Sequence, residues 1–323
     1  MKSVLVVGAL CLTMVWAGEA GHAAGPEPAP FGLAFRGQIF PFRDVSTFVL
    51  PDATVVFEAV GGPVGIYTFT AHDGVLVPMT ARRWRWTAPS TPGLYTLKID
   101  DPKKKDTITL RAFVMVPAKL VRGGVLNGYR IGEYPPKPAA GRSNYTPPAG
   151  FIEVTKDNQD TKLSPHFRLK QFLCKQEPLE RFPKYVVLQE RLLLKLEAIL
   201  AEVKGLGMDA DTLHVMSAYR TPYYNHLIGD VRYSMHQWGS AADVFIDTDH
   251  KDRMNDLNRD GRIDIGDSRF LYDLVERMLA APRNPNDRRN RNLEGGMGWY
   301  PATAAHPPFV HVDVRGTRAR WQG

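Results

Sequence analysis

The stretch PPFVHVDVRG, residues 307–316, restricts the fold more than any other part of the chain. Val310, Val312 and Val314 alternate with His311 and Asp313. Side chains of a strand alternate with period two, so the valines face one way and His311 and Asp313 the other. Packing gives no reason to put an imidazole and a carboxylate on that second face. The segment DVFID, residues 243–247, has the same pattern, with Val244 and Ile246 set against Asp243, Phe245 and Asp247. Two strands of one sheet are therefore expected to present acid and imidazole groups into a single cleft.

A third element joins them. SMHQWGSAADVFID, residues 234–247, places His236 seven positions before Asp243, with Gly239, Ser240, Ala241 and Ala242 between. These small residues let the loop that carries His236 approach the strand that carries Asp243. Taken singly, each residue has a structural use: His236 in a turn, Asp243 on backbone amides, His311 in a core. Taken together, two imidazoles and one carboxylate suit zinc, with a fourth position open to water. Bound zinc lowers the pKa of such a water toward ~7 and polarises a carbonyl.

The remainder of the chain divides by pattern. From Phe31 to about Pro117, short β-branched and aromatic runs such as TVVFEAV, RWRWTA and TITLRAFVMV are separated by Pro51-Asp52, Gly61-Gly62, Asp73-Gly74 and Pro92-Gly93. Strands at such spacing predict an antiparallel sandwich over residues 25–118. The hairpin STPGLYTLKI resembles the late hairpin of bacterial immunoglobulin-like modules. Residues 119–163, with YPPKPAAGRSNYTPPAG, read as a Pro/Gly-rich linker or extended strap. A final domain over 164–323 begins with SPHFRLKQFLC, where Ser164 and Pro165 fit the start of a helix. A second helix is expected over 184–204, with Leu188, Leu192, Leu196, Ile199, Leu200 and Val203 on one stripe, ended by Gly205 and Gly207. The fold class expected is α+β, an antiparallel sheet with packed helices preceded by an all-β module.

Composition narrows the setting. The 323 residues carry a formal net charge of +7, which favours an anionic partner. Lys2, the apolar run Val4–Trp16 and the small residues before Gly25 describe a secretory signal over residues 1–24, too short for a span of ~20 apolar residues. Export to the periplasm or beyond argues against nucleic acid, and signal removal leaves no stable membrane span. Cys11 falls in the signal, so Cys174 remains as one thiol without an internal partner and is expected to be a buried small hydrophobe.

SAYRTPYYN, SMHQWGSAADV and FVHVDVRG followed by RW resemble the zinc D-alanyl-D-alanine carboxypeptidase and murein endopeptidase family, closest to the periplasmic branch that ends in a His-x-Asp strand. The resemblance covers residues 160–323, about half the chain. It implies zinc held by His236, Asp243 and His311, Arg220 as a cation near the scissile carbonyl, and the stem peptides of peptidoglycan as substrate. The sequence departs from the family at Pro308, where many members carry an acidic general base. Asp313 and His306 are the replacements the sequence offers, Asp313 either activating water or orienting His311. Pro308 also favours a second reading, a non-catalytic wall-binding protein that keeps the peptidase fold. EGGMGWYP, residues 294–301, is expected to allow close backbone approach and to set Trp299 and Tyr300 along a substrate groove.

DLNRDGRIDIGD, residues 256–267, is a second metal signal. Asp256, Asn258, Asp260, Asp264 and Asp267 fall at positions one, three, five, nine and twelve of a calcium loop, with Arg262 giving a backbone carbonyl at seven. The final Asp resembles the dockerin form, and a single loop reads as a structural Ca²⁺ site. Arg283, Arg288, Arg289 and Arg291 form a basic run that would attract stem-peptide carboxylates. No ligand for the N-terminal module is legible.

Overall fold

The structure, a computed structural model, describes residues 29–138, 143–178, 180–280 and 293–323. The expected signal segment and the basic run at 283–291 lie outside these residues. The described chain is mixed α and β, rich in sheet and poor in helix, in line with the expected α+β class. None of its helices is long and apolar enough to cross a membrane.

The strand-like N-terminal region forms two sheets. One has five strands, in the order Gln38–Phe40, Phe31–Phe35, Thr54–Gly61, Arg83–Thr87, Val75–Thr80. The other has four, in the order Asp44–Val49, Thr107–Val114, Gly93–Asp100, Thr68–Ala71. Alternation decides which side of each strand is inside. Val55, Phe57 and Ala59 are buried while Thr54 and Glu58 are exposed, and Trp84 and Trp86 are buried between exposed Arg83 and Arg85. Phe69 of the four-stranded sheet meets Phe57 and Trp84 of the other edge-on, at 5.7 and 5.2 Å, so the two sheets share one core. The strands Asp44–Val49 and Thr107–Val114 pair in parallel.

Residues 119–163 are more than a spacer. Val125–Leu126 and Tyr129–Arg130 form a small hairpin, and Gly150–Val154 pairs with Val116–Pro117 on one side and Lys184–Val186 on the other. Leu126, Tyr129, Ile131 and Phe151 build a core of their own with Val116 and Tyr185. Pro and Gly set the turns, but this many buried apolar side chains hold the strap in place.

Two helical expectations are corrected. SPHFRLKQFLC contains no α-helix, only a 3₁₀ turn at Leu169–Phe172. Glu197 takes the groups that would have started the helix: its carboxylate accepts from Ser164 Oγ at 2.6 Å and from His166 N at 2.9 Å. The next helix, α1, runs Glu190–Gly205 and begins later than its apolar stripe, because Lys184–Val186 is drawn into the sheet opposite Ile152. Its Leu192, Leu196, Ile199, Leu200 and Val203 are buried. Glu190, at its first turn, accepts from Arg36 Nη1, Thr47 Oγ1 and Phe48 N at 2.8–3.2 Å, which ties the N-terminal sheets to the helix.

A five-stranded sheet carries Asp243 and His311. Its order is His214–Ser217, Ala241–Phe245, Phe309–Asp313, Gly296–Tyr300, Ala319–Gln322, antiparallel except for the last pair. The short helix α2, Pro222–Leu227, follows the first strand, and α3, Ile265–Ala280, packs under the Gly296 and Phe309 strands. Val310, Val312 and Val314 are fully buried, as the alternation predicts.

Lys195 of α1 is buried among these elements and donates to the Asp313 carbonyl at 2.9 Å. Burial pushes its ammonium down to about 8 from 10.5, against the pull of Asp313. Between those values the unfolded chain binds the extra proton, so the penalty is full below pH 8 and fades as pH rises toward 10.5. Urea unfolding of the wild type and Lys195→Met should therefore show the wild type gaining about 2–3 kcal/mol on the variant between pH 7 and pH 10. A difference that does not move with pH would show that Lys195 is not held in this way.

Candidate metal centre

Register brings the distant motifs together. Asp243 pairs directly with His311, Ser217 lies beside Asp243 on one side, and Gly298 lies beside His311 on the other. A row Ser217, Asp243, His311, Gly298 thus crosses four strands on one face. His236 comes from the 3₁₀ turn Met235–Trp238, which ends at Gly239 with φ of 61°. A Cβ there would lie 2.6 Å from Leu188 N, so the left-handed cap and the close approach both require glycine. The approach that Gly239 allows is to the backbone at Val187 and Leu188, ahead of α1.

The three ligand candidates converge. His236 Nε2 and His311 Nδ1 are 3.2 Å apart, and each lies near Asp243 Oδ1, at 3.2 and 2.9 Å. All three residues are buried, and they form a group able to hold a metal ion. A four-coordinate ion with bonds of about 2.0–2.1 Å sets its ligand atoms about 3.3 Å apart, close to these separations. The outward atoms are already engaged. His236 Nδ1 meets the Ala218 carbonyl at 2.6 Å, and His311 Nε2 faces Asp313 Oδ2 at 3.4 Å. With those nitrogens carrying the protons, two imidazole lone pairs and a carboxylate oxygen point at one spot, an arrangement that a cation resolves.

Titration behaviour agrees with that crowding. Burial drives the His236 pKa down despite Asp243. Burial also opposes a charged His311, but its hydrogen bonds to Asp243 and Asp313 outweigh that and hold its pKa above the usual imidazole value. Asp243 and Asp313 are both held below the carboxylate range: burial is overcome by the two histidines at Asp243, and by His311 and Arg315 at Asp313.

The groups around the trio differ in what they can reach. Arg220 lines the cleft, but its guanidinium is committed: Nη2 to Asp243 Oδ2 at 2.5 Å, Nη1 to Asp230 Oδ2 at 2.7 Å and Nε to Ser217 Oγ at 2.9 Å. Asp313 is fully buried, accepting from Gly296 N, from Arg315 N and from the Arg315 guanidinium at 2.5–3.0 Å. It faces His311 Nε2 and is not among the residues lining the cleft. His306 meets the Pro307 carbonyl and the Phe309 ring and is not among the residues lining the cleft. Gly295 and Gly296 allow the close approach expected of them, since a side chain on either would strike Asp313. Tyr300 lines the cleft as expected; Trp299 does not, packing instead against Tyr272 of α3 with Arg269 over its ring.

The cleft measures about 590 Å³, and its wall includes Asp230, which no sequence motif covers, with Arg315 and, from the strap, Tyr145, to which the motifs containing them gave no role. Tyr145 packs on Trp238 at 5.1 Å, which brings the expected linker to the edge of the site. Asp230 follows α2 in the chain, and only its ion pair with Arg220 reveals it. A second group, His214, Asp247 and Asp252, lies further along the same strands and is more exposed. Its His214 ring stacks on Phe245 at 4.2 Å.

The loop at 256–267 closes on its own amides. Asp256 accepts from Asp260 N and Gly261 N, Asn258 and Asp260 accept from the backbone two residues on, and Asp264 accepts from Gly266 N. Asp267, buried in the first turn of α3, accepts from Leu257 N and Asp264 N. The donor in the Asp260 contact is Arg262 N, at 2.9 Å.

Comparison of the chain with protein-family models, curated proteins and solved structures found no match. The site is therefore defined by its own geometry. His236→Ala and His311→Ala should each remove most of the bound first-row divalent metal, measured by elemental analysis after purification. Retention of a full equivalent in either variant would rule out the trio as the site.

Proposed function

We propose that the protein is an exported zinc metallopeptidase that hydrolyses peptide bonds of peptidoglycan, its N-terminal sheets forming an immunoglobulin-like module. The observation that carries the reading is the trio of inward acceptor atoms at 2.9–3.2 Å on the floor of an open cleft. Two imidazoles and a carboxylate without thiolate suit zinc, and three protein ligands leave a position open, as in catalytic rather than structural sites. The resemblance of SAYRTPYYN, SMHQWGSAADV and FVHVDVRG to zinc cell-wall peptidases names the substrate class, and the charge of +7 suits an acidic polymer.

A bound zinc ion supplies Lewis acidity, polarising a carbonyl and making water more acidic. The chain's own residues do the rest. Arg220 fixes the outer oxygen of Asp243, and Asp313 orients His311. Asp313 and His306 are not placed to move a proton at the substrate. In this reading that role passes to Asp230, the cleft carboxylate that is not a ligand candidate. The wall-binding alternative keeps one observation in its favour, Pro308 at the position of the family's acid.

Incubated with crosslinked muropeptides, the protein should give products by mass spectrometry that vanish on chelation and in His236→Ala. Asp313→Asn should retain the fold and lose about 10–100-fold in activity or metal affinity. Binding to sacculi with no product would decide for the wall-binding protein.

For the loop at 256–267 we propose a structural Ca²⁺ site, supported by the spacing of its oxygens and by their turn toward the loop interior. Calcium at 100 times its Kd should stabilise the wild type by about 2.7 kcal/mol. Asp256→Ala with Asp260→Ala should abolish that gain in a thermal melt, and an equal gain in both proteins would remove the site.

A further inference from the structure

Hydrolysis of a peptide bond builds negative charge on the carbonyl oxygen, and a site gains most from a donor already aimed at it. The guanidinium groups in this cleft are those of Arg220 and Arg315, and carboxylates hold both. Hydroxyl groups offer further donors. Ser234, Tyr145, Tyr233 and Tyr300 all line the cleft. Tyr145 and Tyr233 belong to another wall, packed around Trp238. Ser234 opens the turn that carries His236, and Tyr300 is the hydroxyl held in place by a residue packed on His311.

The anchoring runs through Trp321. Its indole packs on His311 at 5.2 Å, and its Nε1 donates to the Tyr300 hydroxyl at 2.7 Å. Gly298, beside His311 in the sheet, leaves the space the indole fills; a Cβ there would lie 2.6 Å from Trp321 Cε2. The phenol ring is fixed as well. It stacks on Phe309 with centroids 4.5 Å apart and planes 6° from parallel, and Gly323 closes on it so tightly that a Cβ would meet Cγ at 2.8 Å. The hydroxyl oxygen thus has its donor, and its own proton has no acceptor among the described residues. Burial raises the phenol pKa further, which keeps that proton in place at neutral pH.

We infer that Tyr300 is a substrate-contacting residue whose hydroxyl donates a hydrogen bond to the carbonyl oxygen of the bond being cut, with Trp321 as the residue that positions it. The nature of that carbonyl rests on the peptidase reading; the contact with an oxyanion does not. Sequence reading placed Arg220 at this task. The structure ties Arg220 to Asp243 and Asp230 and sets beside the trio a Tyr300 hydroxyl whose proton has no acceptor among the described residues.

The test uses the full zinc-loaded chain, a crosslinked muropeptide as substrate and a dipeptide phosphinate as oxyanion probe. Tyr300→Phe keeps the ring stack and removes only the donor. It should lower kcat by about 10²-fold while KM moves less than about 2-fold, and it should weaken phosphinate binding by a similar factor at unchanged metal content. Trp321→Phe should fall between the wild type and Tyr300→Phe in both readouts. Phosphinate affinity unchanged in Tyr300→Phe, or no phosphinate binding by the wild type, overturns the inference. A wild type that binds phosphinate through Tyr300 yet cleaves no muropeptide leaves the contact standing and removes the peptidase reading.

Discussion

Three buried polar atoms within about 3 Å of one another need a proton or a cation between them. The rest of the domain is arranged around that fact. His236, Asp243 and His311 each hold an outward contact, to the Ala218 carbonyl, to Arg220 and to Asp313, and those contacts turn the remaining atoms inward. A metal ion answers the convergence. Without one, Arg220 on the outer oxygen of Asp243 and a proton on His311, whose pKa is raised, supply the charge.

The supporting shell explains why so many charged groups tolerate burial here. Asp313 is completely buried, but Arg315, Gly296 N and His311 satisfy it. Lys195 approaches from α1 and takes the carbonyl of the same residue. Removing one member of such a network leaves another unpaired in a low dielectric, which costs more than the pair contributes. The polar face of the sheet is therefore braced at Asp313 from several directions.

The aromatic rim of the cleft comes from three parts of the chain. Tyr145 arrives on the strap, Tyr233 precedes His236 and packs with Tyr145 around the buried Trp238, and Tyr300 with Trp321 belongs to the far strands of the sheet. The strap holds its place because Phe151 and Ile152 are buried in the strand that continues it, one in the small satellite core and one in the main one. The N-terminal sheets are joined to the same body through Glu190, which accepts from both of the sheets at the start of α1.

Much of this was legible in the chain itself. Alternation in FVHVDV and DVFID put His311 and Asp243 on polar faces, because period two is a local property of a strand. Turn residues and aromatic runs marked the N-terminal strands for the same reason. The local signals failed where a distant partner intervened: Glu197 took the groups of the expected helix start at Ser164, and pairing with Ile152 kept Lys184–Val186 out of α1. Roles were harder still. Arg220, Asp313 and Tyr300 were each visible as residue types suited to chemistry, but which one is tied down and which is free depends on neighbours 10 to 23 positions away for Arg220 and 21 for Tyr300. The sequence by itself determined the strand faces and the residues able to bind metal. Only the tertiary structure decided their register, their partners and the direction each polar atom faces, since hydrogen-bond geometry between remote segments is set by packing and not by local pattern.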